Sequence, residues 1–240
     1  MDVYETKPMK EYLSGNPYVG RGIVIGCSED GKKAAIAYFI MGRSENSRNR
    51  VFVEQEEDLM IKPFDESKVE DPSLIIYYPI RKIDHEIIVT NGDQTDTIER
   101  YRIEGASFED ALMTREFEPD GPNWTPRISG VLNFEQKEGF RYKISILKSL
   151  DAEGSHCSRY FFDYSAKAGL GHFIHTYITD GDPIPTFMGE PERVSIPDNI
   201  DDFTSEIWDN LDKDNKISLY TRYVDIATGK AENRLINKNK

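Results

Sequence analysis

The chain is expected to form a layered α+β fold, on three observations. Its first ninety residues are a succession of β-branched and aromatic runs, two helix-opening signals follow close together, and strand-like runs fill most of what remains. Strands, then helices, then strands favour this class over regular βαβ winding, in which the two would alternate. At 240 residues the chain can bury a sizeable core without disulfide staples, so it reads as one domain over residues 1–240.

Each element has its own signal. Tyr18 to Ile25 and Lys33 to Met41 are apolar runs separated by Ser28-Glu29-Asp30-Gly31, whose Asp-Gly step marks a hairpin. Val51 to Gln55, Ser73 to Ile80 and Glu86 to Thr90 continue the strands. Thr95 or Asp96 can then cap a helix running through Tyr101 towards Gly105, and Ser107-Phe108-Glu109-Asp110 has the form of a capping box opening a second helix. Strands resume at Arg127 to Phe134, Phe140 to Leu147, around Arg159 to Tyr164 and at His172 to Thr179. After the Pro/Gly-rich stretch Asp180 to Pro185 comes a helix from about Ile200 to Leu211, then a hairpin, Ile217 to Asp225 and Ala231 to Ile236, turning at Ala227 to Lys230. Residues 237–240 read as a frayed end.

Composition excludes several functions. With 38% hydrophobic and 30% charged residues the chain reads as soluble and globular, and its net charge of -13 repels nucleic acid and anionic lipid. Any phosphate it binds is therefore expected to be small and locally captured. Cys27 and Cys157 define no disulfide framework, and no Cys/His spacing predicts a metal site. The first residues lack a secretory pattern and no stretch approaches the ~20 apolar residues of a membrane span, so the expected location is the cytoplasm. Gly20 to Gly26 has the wrong spacing for a dinucleotide fingerprint, Asp212 to Lys216 lacks the glycine and glutamate of a calcium loop, and neighbours His156 and Cys157 would point to opposite faces of a strand.

Five segments carry candidate chemistry. Gly42 to Arg50 places Arg43, Arg48 and Arg50 with Ser44 and Asn49 in one loop between strands, a pattern suited to an anion because guanidinium forks pair with phosphate and carboxylate oxygens; a solvated connector is the plain alternative. In Asn91-Gly92-Asp93-Gln94-Thr95-Asp96, a turn and a helix cap account for Asn91, Gly92 and one of Thr95 or Asp96, leaving Asp93 and Gln94 unexplained. Asn123 to Arg127 presents Thr125 and aims Arg127 from a proline-stiffened loop, and Tyr77 interrupts an apolar strand. His172 and His175 are spaced for opposite faces of a strand, so at most one is expected in any pocket.

The order of these segments resembles a known family. Tyr18-Val19-Gly20-Arg21, Arg43-Ser44 with Asn49-Arg50, Tyr77 followed by Ile80-Arg81, Asn91-Gly92 with Thr95-Asp96, and Thr125-Pro126-Arg127-Ile128 look like successive motifs of the archaeal-type inosine monophosphate (IMP) cyclohydrolases, over roughly residues 17–135. The resemblance implies a four-layer αββα sandwich similar to the N-terminal-nucleophile hydrolases but without their terminal nucleophile, in keeping with Met1-Asp2. It places the best-matching core in residues 1–150. The arginine loop is longer than the archaeal form, Trp124 stands where asparagine is usual, and residues 151–240 extend beyond the archaeal chains, as in a bacterial branch.

The implied reaction closes the purine ring of 5-formamidoimidazole-4-carboxamide ribonucleotide, giving IMP and water without a cofactor. By this resemblance arginines of the Arg43 to Arg50 loop, joined by Arg21, take the 5′-phosphate, and Ser44, Asn49 and Arg50 are among the substrate-binding residues. Asn91, Asp93 and Thr95 contact ribose or base, Asp96 and Thr125 also bind the substrate, and Tyr77 packs on or hydrogen-bonds the heterocycle. Arg127 orients the carboxamide or stabilises negative charge, and His172 or His175 transfers protons. A purine nucleotide is the expected partner, and assembly of identical subunits a further expectation. Two other classes remain: a purine-nucleotide-binding protein without catalysis, and an amide hydrolase using Cys27, Ser44 or Thr95 as nucleophile.

Overall fold

The computed structural model describes residues 4–68, 76–135 and 139–239. Its strands are β1 (Arg21–Cys27), β2 (Lys33–Met41), β3 (Val51–Gln55), β4 (Asp58–Lys62), β5 (Ile80–Ile83), β6 (Glu86–Thr90), β7 (Arg127–Asn133), β8 (Arg141–Ser149), β9 (Cys157–Ser165), β10 (Leu170–His175), β11 (Glu192–Ser195), β12 (Lys216–Asp225) and β13 (Ala231–Asn237). Single-turn helices α1 (Lys10–Leu13) and α2 (Glu45–Arg48) accompany α3 (Gln94–Ile103), α4 (Phe108–Met113) and α5 (Ile200–Asn210). The strands form two sheets, one ordered β11-β10-β1-β2-β12-β13 and the other β3-β4-β5-β6-β7-β8-β9. Every strand pairing in them is antiparallel.

Strand β2 shows why the sequence folds this way. Ala34, Ile36, Tyr38 and Ile40 face the second sheet, while Ala35, Ala37, Phe39 and Met41 face helices, so a two-residue period is apolar on both sides. Across the gap Ile87, Val89, Ile128 and Leu132 complete the inter-sheet core. On the outer face of the first sheet, Ile200, Phe203, Ile207 and Leu211 of the α5 region pack with Val24, Phe39 and Phe173. On the far side of the second, Ile98 of α3 and Phe108 and Leu112 of α4 cover Ile88 and Val131. The layers therefore run helix, sheet, sheet, helix. Asn199 caps α5 by accepting from the Asp201 and Asp202 amides, and Ser107 with Asp110 forms the expected reciprocal box at α4.

Three expectations change. Of the run Ser73 to Ile80, residues 73–75 lie outside the described residues, and 76–79 are not strand, so β5 begins only at Ile80. Strand β4 had no turn signal before it, because the β3–β4 hairpin puts Glu56 at φ 54°, a conformation usually signalled by glycine or asparagine. The run from His172 starts earlier, at Leu170, and ends at His175; beyond it Thr176 pairs with Arg21 and Tyr177 bridges to Thr186. No helix among the described residues is long and apolar enough to cross a membrane.

The sheets approach closely at Gly130 of β7, where an added Cβ would lie 2.4 Å from Ile25 Cδ1 and 3.2 Å from Val89 Cγ1. Gly130→Val is expected to destabilise the fold by about 1–3 kcal/mol through overpacking. Urea denaturation would show this as a lower midpoint with an unchanged slope.

Candidate functional site

A polar cluster closes one end of the inter-sheet core. Arg21, the first residue of β1, has the inward parity of Ile23 and Ile25, and Arg50 immediately precedes β3. Both lie in the same electrostatic neighbourhood, with Tyr18, Tyr38 and Tyr77 around them. Among the described residues, no carboxylate forms an ion pair with either guanidinium, and Arg50 Nε is buried without a hydrogen-bond partner. Burial, reinforced by the positive charge of Arg21, pulls Arg50 below the ordinary arginine range. Two guanidiniums are thus buried near each other without a paired carboxylate, an arrangement whose chemistry would suit an anion.

The backbone that aims Arg21 is tightly determined. Thr176 N donates to Arg21 O at 3.0 Å, and Arg21 N donates to Thr176 Oγ1 at 3.1 Å. The preceding Gly20 has φ +77°, and a Cβ there would sit 2.1 Å from Thr176 Oγ1, so a side chain is excluded both by conformation and by space. Tyr77 Oη donates to Asn91 O at 2.8 Å, which makes Tyr38 the donor in the 3.1 Å bond between the two hydroxyls. Burial raises the pKa of both phenols.

Beside this pair, the β6–α3 turn is locked to β7. Asn91 Nδ2 donates to Pro126 O at 2.8 Å, and its Oδ1 accepts from Ile128 N at 2.9 Å and Gln94 Nε2 at 3.0 Å. Arg127 Nη1 lies against Gly92, where a Cβ would be 2.6 Å from it, and donates to Asp93 Oδ1 at 2.6 Å and Gln94 Oε1 at 2.7 Å. It also pairs with Glu118 Oε1 at 3.0 Å. The two carboxylates differ. Burial tends to raise Asp93, but hydrogen bonds and charge from Arg115 and Arg127 hold it below the usual range, whereas burial keeps Glu118 above that range despite Arg127 and Arg21. Such divergence separates a fixed anion from a group able to exchange a proton.

At the rim, the Arg43 guanidinium lies 5.2 Å from the centre of the Tyr18 ring, pairs with Asp180 and donates to Gly181 O at 3.0 Å. Tyr18 stacks on Tyr177 at 5.8 Å. Tyr177 Oη donates to Thr125 Oγ1, which itself donates to Asp120 Oδ2, both at 2.5 Å.

The structure thus gathers Arg21, Arg50, Tyr77, Asp93, Thr125 and Arg127, with Arg43 at the margin. Other expected residues have local duties. Ser44 caps α2 through Ser47, and Arg48 ties Gly42 O to Asn215 Oδ1. Asn49 exchanges two hydrogen bonds with the Asp65 backbone. Asn91 is a lock, and Thr95 Oγ1 is bound to Thr90 Oγ1 at 2.5 Å and to Gly92 O. Asp96 is exposed and pairs with Arg81 at 3.3 Å.

Neither histidine reaches the cluster. His175, opposite Gly22, stacks on Phe173 on the helix side of its sheet, the reverse face from Arg21. His172, opposite Ile25, is four residues farther along, stacked 3.6 Å from Tyr164 and joined to Tyr142 Oη through Nδ1 at 2.6 Å. Sequence reasoning missed Glu118, Tyr38 and Tyr177. Glu118 is one of several acids in an irregular loop, and nothing in the spacing distinguishes it. A cleft of about 220 Å³ elsewhere is lined by Glu86, Arg102, Glu109 and Lys143, whose charges already pair with one another.

Comparison with known proteins bears on this arrangement. The sequence model of a family described as IMP cyclohydrolase-like protein matches residues 18–230. The chain belongs to that family. The match runs past the segment on which the resemblance was read and takes in Tyr177. Among relatives, the IMP cyclohydrolase of Methanococcus aeolicus is 32% identical over 121 residues, covering 48% of this chain and 58% of the relative. That of Methanopyrus kandleri is 34% identical over 122 residues, with coverages of 49% and 60%. That of Methanothrix thermoacetophila is 33% identical over 120 residues, with coverages of 48% and 58%. The chain thus spans less than two thirds of the length of these curated relatives.

Two outcomes follow from the geometry. Arg50→Met is expected to raise unliganded stability by roughly 1 kcal/mol, by relieving repulsion and an unpaired buried group. In thermal melts, the wild type should gain stability with added inorganic phosphate and the variant should not. The histidines set a pH dependence. Burial depresses both to about 4 from 6.5, so their contribution is complete above pH 6.5 and is lost as pH falls through 4. Urea midpoints measured across that window should fall, by at most roughly 3 kcal/mol per histidine, and His175→Phe should flatten the curve.

Proposed function

We propose that the protein is an IMP cyclohydrolase, closing the purine ring of 5-formamidoimidazole-4-carboxamide ribonucleotide. The observation that carries this reading is the pair of guanidiniums without counter-ions, Arg21 and Arg50, in a member of a family whose named relatives bear that activity. In the reaction the carboxamide nitrogen adds to the formyl carbon of the same molecule. The tetrahedral carbon then loses its hydroxyl, the nitrogen loses a proton, and a C=N bond and water result.

Arg21 and Arg50 take the 5′-phosphate, with Arg43 released from Asp180 to join them at the rim. The Tyr38–Tyr77 pair presents its rings to the heterocycle, since the Tyr77 proton is already committed to Asn91 O. Arg127 Nη1 is shared among Asp93, Gln94 and Glu118, so its role is to hold Glu118 in place. Glu118, whose pKa burial raises above the usual carboxylate range, moves the proton between the attacking nitrogen and the departing hydroxyl. Thr125, aligned by Asp120 and Tyr177, borders the ribose. Closure within one molecule makes orientation a large share of the catalysis.

The same reading includes a cytoplasmic location, a bacterial branch of the family on account of the chain beyond residue 150, and kinship with the N-terminal-nucleophile hydrolases. The layer order helix, sheet, sheet, helix supports that kinship.

An ultraviolet assay following IMP formation tests the proposal. Arg21→Ala and Arg50→Ala are expected to raise KM, while Glu118→Gln lowers kcat by roughly 10²-fold or more with nucleotide binding retained. If the nucleotide binds and its closure is no faster than in buffer, the enzymatic reading fails and a binding role replaces it.

A further inference from the structure

The four marginal strands of the two sheets are treated unequally. The β11 edge is covered by Lys7, whose N donates to Arg193 O at 3.2 Å and whose O accepts from Ser195 N at 3.0 Å. The β3 and β13 edges close on each other: Asn237 accepts from Phe52 N at 2.8 Å and donates to Phe52 O at 2.9 Å, and Asn233 donates to Glu54 at 3.0 Å. Strand β9 differs. It pairs with β8 in unbroken register over all nine residues, and no described strand pairs with its outer edge.

Of the usual protections that edge keeps only its charges, Arg159 and Asp163. Cys-Ser-Arg-Tyr-Phe-Phe-Asp-Tyr-Ser contains no lysine or proline, its register shows no bulge, and none of its residues is fully buried. Folded proteins blunt or cover such strands because the free N–H and C=O row is a template for another strand. Tyr160 alone is 45% exposed, so the aromatic side chains add apolar area to the open backbone.

We propose that β9 pairs antiparallel with β9 of a second copy of this chain, about a two-fold axis at Phe161, joining the two seven-stranded sheets into one. The charge pattern selects both occupant and register. With Phe161 on the axis, Arg159 stands opposite Asp163 of the second copy, and the symmetry repeats the pair on the other side. Tyr160 then faces Phe162 of the second copy. A slip of two residues either way sets Arg159 against phenylalanine or serine, and both ion pairs vanish. Asp163 is free to swing across, since its side chain is 45% exposed and its present partner, Arg141, is 50% exposed.

Light scattering coupled to gel filtration tests this. The wild type should have twice the chain mass of 27.6 kDa. Arg159→Asp or Asp163→Arg alone puts like charges face to face twice and should weaken dimerisation about tenfold or more. The double exchange, Arg159→Asp with Asp163→Arg, should restore it. Because Arg159 also donates to Arg115 O at 2.8 Å and lies 3.7 Å from Glu116, its variant loses those contacts as well, and the exposed Asp163→Arg variant supplies the independent reading. A monomeric wild type, a dimer indifferent to Asp163→Arg, or a double exchange that stays dissociated would each overturn the proposal.

Discussion

The inter-sheet core is the constraint on which the rest depends. Two like-charged guanidiniums at one end of a sandwich repel each other and lose hydration, and no paired carboxylate among the described residues compensates them. They persist because Ile23, Ile25, Tyr38, Phe52, Ile87, Val89 and Ile128 behind them are packed from both sheets and cannot separate to let either arginine escape. Burying side chains of this kind is worth roughly 1.5–3 kcal/mol each, so a few offset the electrostatic penalty. Gly20, Thr176 and Asn91 then convert that stability into fixed positions for Arg21 and β7. Strain at a binding site is tolerated where the surrounding structure over-determines it.

Much of the fold was legible because the physics is local. The Asp-Gly turn, the Ser107 box and the two-residue apolar period of β2 each name an element without reference to distant residues. The strands that were missed, β4 and β11, are short, as are the missed single-turn helices α1 and α2, and β4 follows a turn at Glu56 that carries no recognisable residue. Whether an apolar strand is covered by a sheet or by a helix is a property of the partner, so β2 could be read as buried but not as two-sided.

The site was legible in part, for a related reason. Arginines near strand ends were expected to take an anion, but the arginine loop divides its work: Arg50 is buried, Arg43 pairs with Asp180 and Arg48 secures the backbone. Asn91 and Thr95 had the composition of ligand contacts, yet the bonds of Thr95 stay within the turn and those of Asn91 tie the turn to β7. Glu118 was invisible because its distinction is environmental. Only the placement of Arg127 beneath Gly92 makes one acid in an acidic loop the partner of a buried cation.

The strand order carries a consequence for how the molecule is made. Every neighbour pair in the second sheet is consecutive in sequence, so that meander can form from local contacts as the chain emerges. The first sheet is assembled from both ends: β1 and β2 must wait for β10 and β12, whose residues lie well over a hundred positions downstream. Closure of such distant contacts is slow, and until it occurs the apolar faces of the first hairpin stand open to water and to other nascent chains. Arg21 belongs to that waiting hairpin. The surroundings of Arg21 are therefore among the last features to form, and a chain that ended before residue 170 would carry every strand of the second sheet but neither of the strands that flank the first hairpin.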